Sequence, residues 1–113
     1  MHEMSIAESL VELIEGEARK AEFIRVKRIT VQLGALGHVE PEALAFCFDV
    51  VARGTVAEGA CLEVRTIPGR GLCPRCGSTV SLRQRYDLCA ACGQSHVTMI
   101  AGDELRLTEL EVE

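Results

Sequence analysis

Cys73-Pro-Arg-Cys76-Gly77 and, after a gap of twelve residues, Cys89-Ala-Ala-Cys92-Gly93 decide how this chain is read. A CxxC turn lets two thiolates converge on one ion, and the glycine behind each second cysteine permits a tight knuckle. Two facing knuckles supply four sulfurs in a tetrahedron, which matches zinc with no open position. Iron takes the same ligands. Disulfides or redox-active CxxC motifs are the competing reading, disfavoured in a reducing cytosol and without a thioredoxin-like βαβ context. Cys73, Cys76, Cys89 and Cys92 are therefore expected to hold a structural Zn(II) that shapes a module too small for a core of its own.

Charge marks out the same module. Residues 70–96 hold four arginines (Arg70, Arg75, Arg83, Arg85) and one acid (Asp87), a net charge of +3. The rest of the 113 residues carries eight basic and sixteen acidic groups, a net of −8. A basic, cysteine-dense insert thus sits inside an acidic body. The overall net charge of −5 argues against nucleic-acid binding through phosphates.

The flanks read as an α+β body. Ser5 and Glu8 have capping-box spacing. Behind them Ala7, Val11, Ile14, Ala18 and Ala21 recur with helical period, widened by Ile6, Leu10 and Leu13, so a helix is expected over 5–21. Residues 28–33 alternate as a strand, with Ile29, Val31 and Leu33 on one side. Gly34, Gly37 and Pro41 mark a loop. Pro41 opens a second helix whose stripe is Leu44, Cys47, Phe48 and Val51, closed by Gly54. Leu62, Val64 and Thr66 form another strand. Beyond the insert, Leu105, Leu107, Leu110 and Val112 form a last one, with a slip of phase between Leu107 and Leu110. The simplest packing is two helices on a three-stranded β-sheet, with a small zinc-ribbon-like domain inserted. The expected division is 1–69 plus 98–113 for the body and 70–97 for the zinc-binding domain, with Pro68-Gly69 and Ala101-Gly102 as hinges. Cys47 and Cys61 are expected to be small buried hydrophobes.

With 48% apolar residues the chain has a core. The richest apolar stretch, 43–52, is interrupted by Asp49 and falls short of the about 20 residues of a membrane span. No signal peptide is visible, so the protein is expected to be cytoplasmic and not membrane-bound. Enzyme classes find no support. Four cysteines leave zinc neither an open position nor a base, and no Ser-His-Asp set, P-loop or dinucleotide fingerprint is present. A nucleic-acid-binding ribbon has the four arginines in its favour, but only Tyr86 as a stacking aromatic.

The amino terminus, Met1-His2-Glu3, is the second chemical feature. A histidine so near a terminus is usually just solvated. Here the α-amine of Met1, the His2 amide nitrogen and the His2 imidazole can close adjacent small chelate rings on one ion, and Glu3 can complete a plane by its amide or carboxylate. Amide nitrogens bind after losing a proton, which Ni(II) and Cu(II) enforce in square-planar sites.

Met1-His-Glu-Met-Ser5, the loop Gly34-Ala-Leu-Gly-His-Val-Glu-Pro-Glu-Ala-Leu44, the two knuckles, Gly102-Asp-Glu-Leu-Arg106 and the terminal Glu-Leu-Glu-Val-Glu together resemble the HypA/HybF family of hydrogenase maturation nickel metallochaperones. The likeness is collinear over essentially the whole chain. It implies a nickel-binding α/β domain joined to a zinc domain, Ni(II) as transient cargo, and no catalytic turnover. It also implies a HypB-family GTPase as partner and the NiFe-hydrogenase large-subunit precursor as recipient, with neither nucleic acid nor membrane as a partner. A monomer or weak homodimer is expected. Carried onto this chain, the resemblance makes His2 the essential nickel ligand, helped by Met1 and Glu3. It places Glu40 as a carboxylate near that site and His96 as a zinc-domain residue reaching toward it. His38 is loop surface.

Overall fold

The computed structural model describes residues 2–113. Along the chain run α1 (Glu3–Ala21), β1 (Val26–Gly34), α2 (Pro41–Val51), β2 (Cys61–Ile67), β3 (Gly69–Leu72), β4 (Thr79–Leu82), β5 (Thr98–Ala101) and β6 (Leu105–Val112). Two three-stranded sheets result, ordered β2-β1-β6 and β4-β3-β5. The two helices and the first sheet are those the hydrophobic periods predict. The second sheet was not anticipated. Its strands are four residues each, too short for alternation to stand out, and β3 is half glycine.

The chain divides into two compact units. The first comprises 1–31, 39–64 and 107–113; the second comprises 32–38 and 65–106. The second unit therefore takes in the loop before α2 as well as the cysteine-bearing segment. Pro68-Gly69 and Ala101-Gly102, expected as hinges, lie inside it and not at its edges.

In the first unit, one face of each helix is packed with β1. Ala7, Leu10, Val11 and Ile14 of α1, Val26, Ile29 and Val31 of β1, and Leu44, Cys47 and Phe48 of α2 form a single core, closed by Ala52 and Ala57. Leu107 and Leu110 of β6 both pack against it. Three residues apart, they would face opposite ways in strict alternation, so the expected slip of phase is what brings both inward. Pro41 occupies the first turn of α2 as its fixed φ suits.

Four expectations need correction. The first helix begins at Glu3, not Ser5, and no side chain caps it, so Ser5 and Glu8 are exposed helical residues and no capping box forms. The reason is tertiary: the carboxylate of Glu3 is buried and engaged elsewhere, as described below. Leu13 points outward at 57% exposure, because Ala7, Leu10, Val11 and Ile14 already fill the buried face. Ala21, in the last turn, is likewise exposed. Cys61 is exposed at the first position of β2, whereas Cys47 is buried as expected.

Phe48 is 2% exposed and Phe46, two residues earlier on the same helix, 71%. Phe48→Ala is expected to cost about 3–5 kcal/mol through the cavity it leaves, and Phe46→Ala less than about 0.5 kcal/mol. Urea denaturation midpoints of the two variants check this.

Candidate metal centre

The second unit is built around its cysteines. β3 pairs antiparallel with β4, Leu72 opposite Thr79, so residues 73–78 form the connecting turn. That turn is the first knuckle. The Gly77 N–H donates to the Cys73 carbonyl (2.8 Å), the Cys73 N–H to the Ser78 carbonyl (3.0 Å), and Gly77 sits at φ +73°. The second knuckle repeats this bond for bond. Gly93 donates to Cys89 (2.7 Å), Cys89 to Gln94 (2.9 Å), and Gly93 has φ +76°. Both conformations lie in the left-handed region that glycine enters without a Cβ penalty, which is why a glycine follows each second cysteine.

The four sulfurs lie within 4.8 Å of one another, and among the described residues they are the one His/Cys/Asp/Glu group placed to hold an ion. Across the knuckles, Cys73 Sγ is 3.7 Å from Cys92 Sγ and Cys76 Sγ is 3.8 Å from Cys89 Sγ. A tetrahedron of sulfurs about 2.3 Å from a central zinc has edges of about 3.8 Å, so these spacings fit the ion. They are far from the about 2.05 Å of a disulfide, and all six cysteines are free. Cys73 and Cys89 are buried, Cys76 and Cys92 exposed.

The electrostatics are those of a site made for a cation. The Ser78 hydroxyl and then its backbone amide draw the Cys76 thiol down to about 6. Cys92 moves the other way. The Gln94 amide pulls it down, but partial desolvation of the sulfur within the cluster and the crowd of neighbouring thiols outweigh this and push it up to about 12. One thiolate forms readily and another is resisted by its neighbours; a dication among them removes the conflict.

The residues at the amino terminus belong to the first unit. Met1 lies outside the described residues. His2 is exposed and occupies the N-cap of α1, its carbonyl accepting from the Ile6 N–H at 2.9 Å. Glu3 is 6% exposed. Its Oε2 accepts a hydrogen bond of 3.2 Å from the backbone N–H of Glu40, the N-cap of α2. That bond, and then Glu3's own amide, hold its carboxyl below the ordinary value against the opposing effect of burial. The starts of both helices are thereby brought together through Glu3 and Glu40, with His2 at the cap of α1. Glu40 meets Glu3 through its amide, and its own carboxylate is exposed and makes no helix cap. His96 lies in the second unit, exposed, at φ +67°, beside a cavity of about 250 Å³ lined also by Arg85, Tyr86, Asp87, Ser95 and Val97. His38 is exposed, as expected of a loop surface. The contact of Glu3 with the second helix had no signal in the sequence beyond the acid in a first turn.

Four cysteine sulfurs converging on one point define a small metal-binding protein whose site, filled by four protein ligands, lacks the open position of a hydrolase. The family described as "Hydrogenase/urease nickel incorporation, metallochaperone, hypA" matches residues 1–112. The chain is 56% identical to the "Hydrogenase maturation factor HypA" of Methylocella silvestris and 51% identical to that of Azotobacter chroococcum, in each case over the full length of both chains. Its fold is similar to the solution structure of the Ni metallochaperone HypA from Helicobacter pylori, with a TM-score of 0.71, 25% identity and coverage of 99% of this chain and 97% of that one. A second solution structure of a HypA protein is similar at a TM-score of 0.76 and 25% identity, covering 100% and 97%.

The chain belongs to the HypA family of nickel metallochaperones for hydrogenase maturation. It is a maturation factor and not an enzyme, and its four cysteines form a metal-binding site consistent with zinc. Membership implies involvement with hydrogenase and its maturation machinery. Among the described residues no helix is long and apolar enough to cross a membrane.

Metal analysis of the purified protein is expected to give one zinc per chain. Cys73→Ala should lose it while the far-UV circular dichroism of α1 and α2 persists. The Glu3 carboxyl makes a second test. A carboxyl whose folded pKa lies below its unfolded one stabilises the fold above the unfolded value and loses that contribution as pH falls through the folded one. An NMR titration should place Glu3 below the ordinary glutamate range, and Glu3→Gln should make stability less sensitive to acid.

Proposed function

We propose that this chain carries Ni(II) at its amino terminus and helps insert it into the NiFe-hydrogenase large-subunit precursor, acting with a HypB-family GTPase. The observation that supports this most directly is where α1 begins. With its first helical bond running from Ile6 to His2, the helix has no use for the N–H groups of its first residues. The His2 amide can therefore give up its proton to a metal without breaking a turn. The Glu3 amide, turned to its own carboxylate, can do so at the cost of one local contact.

The ligands in this reading are the Met1 amine, the His2 amide and imidazole, and a fourth donor from Glu3 or Glu40. Because the Glu3 carboxylate is engaged by the Glu40 N–H, Glu3 contributes through its backbone nitrogen, and the exposed Glu40 carboxylate is the alternative. His96, from the zinc-binding unit, is a further candidate ligand in this reading. The partial positive charge at two adjoining helix starts favours loss of amide protons, and the carboxylates of Glu3 and Glu40 balance the arriving cation. The division of labour is a nickel-binding first unit and a zinc-binding second unit, which takes in 70–97. There Cys73, Cys76, Cys89 and Cys92 hold a structural Zn(II). The protein works in the cytoplasm as a monomer or weak homodimer.

Deprotonated amide ligands make the nickel square-planar and diamagnetic, and binding weakens as pH falls and amine and imidazole take up protons. Nickel titration by calorimetry and absorption spectroscopy tests the reading. His2→Ala should abolish one-to-one binding and leave zinc in place. A residue added before Met1 should do nearly the same by converting the amine to an amide. Full nickel affinity in either protein would move the site elsewhere.

A further inference from the structure

The zinc-binding unit has a core of seven residues: Leu36, Cys73, Val80, Leu82 and Cys89, with Val97 and Met99 against them. Six come from the cysteine-bearing segment and its flanks. Leu36 comes from the loop between β1 and α2, thirty-seven positions before the first cysteine in its cluster.

Leu36 is held from every side. Its N–H donates to the Gly102 carbonyl at 2.7 Å, and its own carbonyl accepts from Arg85 Nε at 3.1 Å. The side chain lies in a notch that exists only because two neighbours lack side chains. A Cβ on Gly69 would stand 2.6 Å from Leu36 Cδ1, and one on Gly102 would stand 2.9 Å from the same atom. On either side, the Ala35 N–H donates to Ile67 and the Gly34 N–H to Glu104, both at 2.8 Å. The loop thus bonds to the segments entering and leaving the zinc-binding region. Through Arg85 it also bonds to the stretch between the knuckles. Arg85 is oriented by a turn in which Asp87 Oδ2 accepts from the N–H groups of Arg83 (2.8 Å) and Gln84 (3.0 Å).

We infer that Leu36 is a positioning residue of the tetrathiolate centre: it wedges into the Gly69–Gly102 notch and keeps the two knuckles in register for the ion. In a unit this small the free energy of metal binding and of folding are one quantity, so a side chain that fills its core governs how long the metal stays. Leu36 ligates nothing and touches no cargo. It sits with Cys73 and Cys89, the buried cysteine of each knuckle.

The test measures zinc release from the full-length holoprotein to a chromogenic chelator, for wild type and for Leu36→Met, Leu36→Val and Leu36→Ala. A volume-conserving swap is tolerated in a core and truncation leaves a void. Release is therefore expected within about threefold of wild type for Met, faster for Val, and about tenfold faster or more for Ala. Cobalt substitution gives the second readout. The sulfur-to-Co(II) charge-transfer bands should keep their tetrathiolate form in all variants that bind, showing that the ligands are unchanged while their retention is not. If Leu36→Ala does not fold, the order of wild type, Met and Val decides the matter. Equal release rates in all the proteins overturn the assignment, as does an equal acceleration by Met, Val and Ala. The measurement involves no nickel, so it stands or falls apart from the N-terminal reading.

Discussion

A carboxylate taken out of water needs donors, and Glu3 finds its tertiary partner in the N–H of Glu40 at the start of the other helix. Much of the first unit is arranged around that requirement. It sets the first turn of α1 two residues earlier than the local capping signal and places His2 at the cap. It also joins the starts of two helices whose inner faces share one core with β1. Placing an acid at these positive helix ends is favourable in itself. The same bond therefore ties the start of α1, with His2 at its cap, to the start of α2.

The second unit solves a different problem. Its apolar core is small, and such modules depend on a metal or a cross-link to remain ordered. Two knuckles with the same hydrogen bonds and the same left-handed glycine present four sulfurs at tetrahedral spacing. Crowding by the neighbouring thiols, which helps push Cys92 up, is a cost that a dication reverses. Arg70, Arg75 and Arg83, exposed arginines of the cysteine-bearing segment, lie outside that cluster.

The tetrathiolate cluster and the proposed amino-terminal nickel site have opposite chemical characters, which suits a metallochaperone. Four soft ligands enclose an ion and leave no position for exchange. The proposed amino-terminal site would offer nitrogen donors, whose binding to an ion a proton can reverse. On that proposal, geometry and ligand softness separate a resident ion from a cargo ion.

The sequence by itself determined the parts whose physics is local. The paired CxxC spacing named the four metal ligands, the glycines behind them required the knuckle turn, and the 3.6- and 2-residue periods marked both helices and the strands of the first sheet. What failed were features settled by distant partners. Ser5 and Glu8 carried a valid capping pattern, but the burial of Glu3 against Glu40 moved the helix start. Leu13 fitted the apolar stripe, yet other α1 side chains had filled the face. The strands of the second sheet were too short for a period, and Leu36 looked like an ordinary loop residue. Its place in the zinc-binding unit depends on a notch between Gly69 and Gly102, residues that come together only in the folded chain. Spacing along a chain encodes turns, periods and chelates; which loop fills which notch is decided by close packing among segments far apart in sequence.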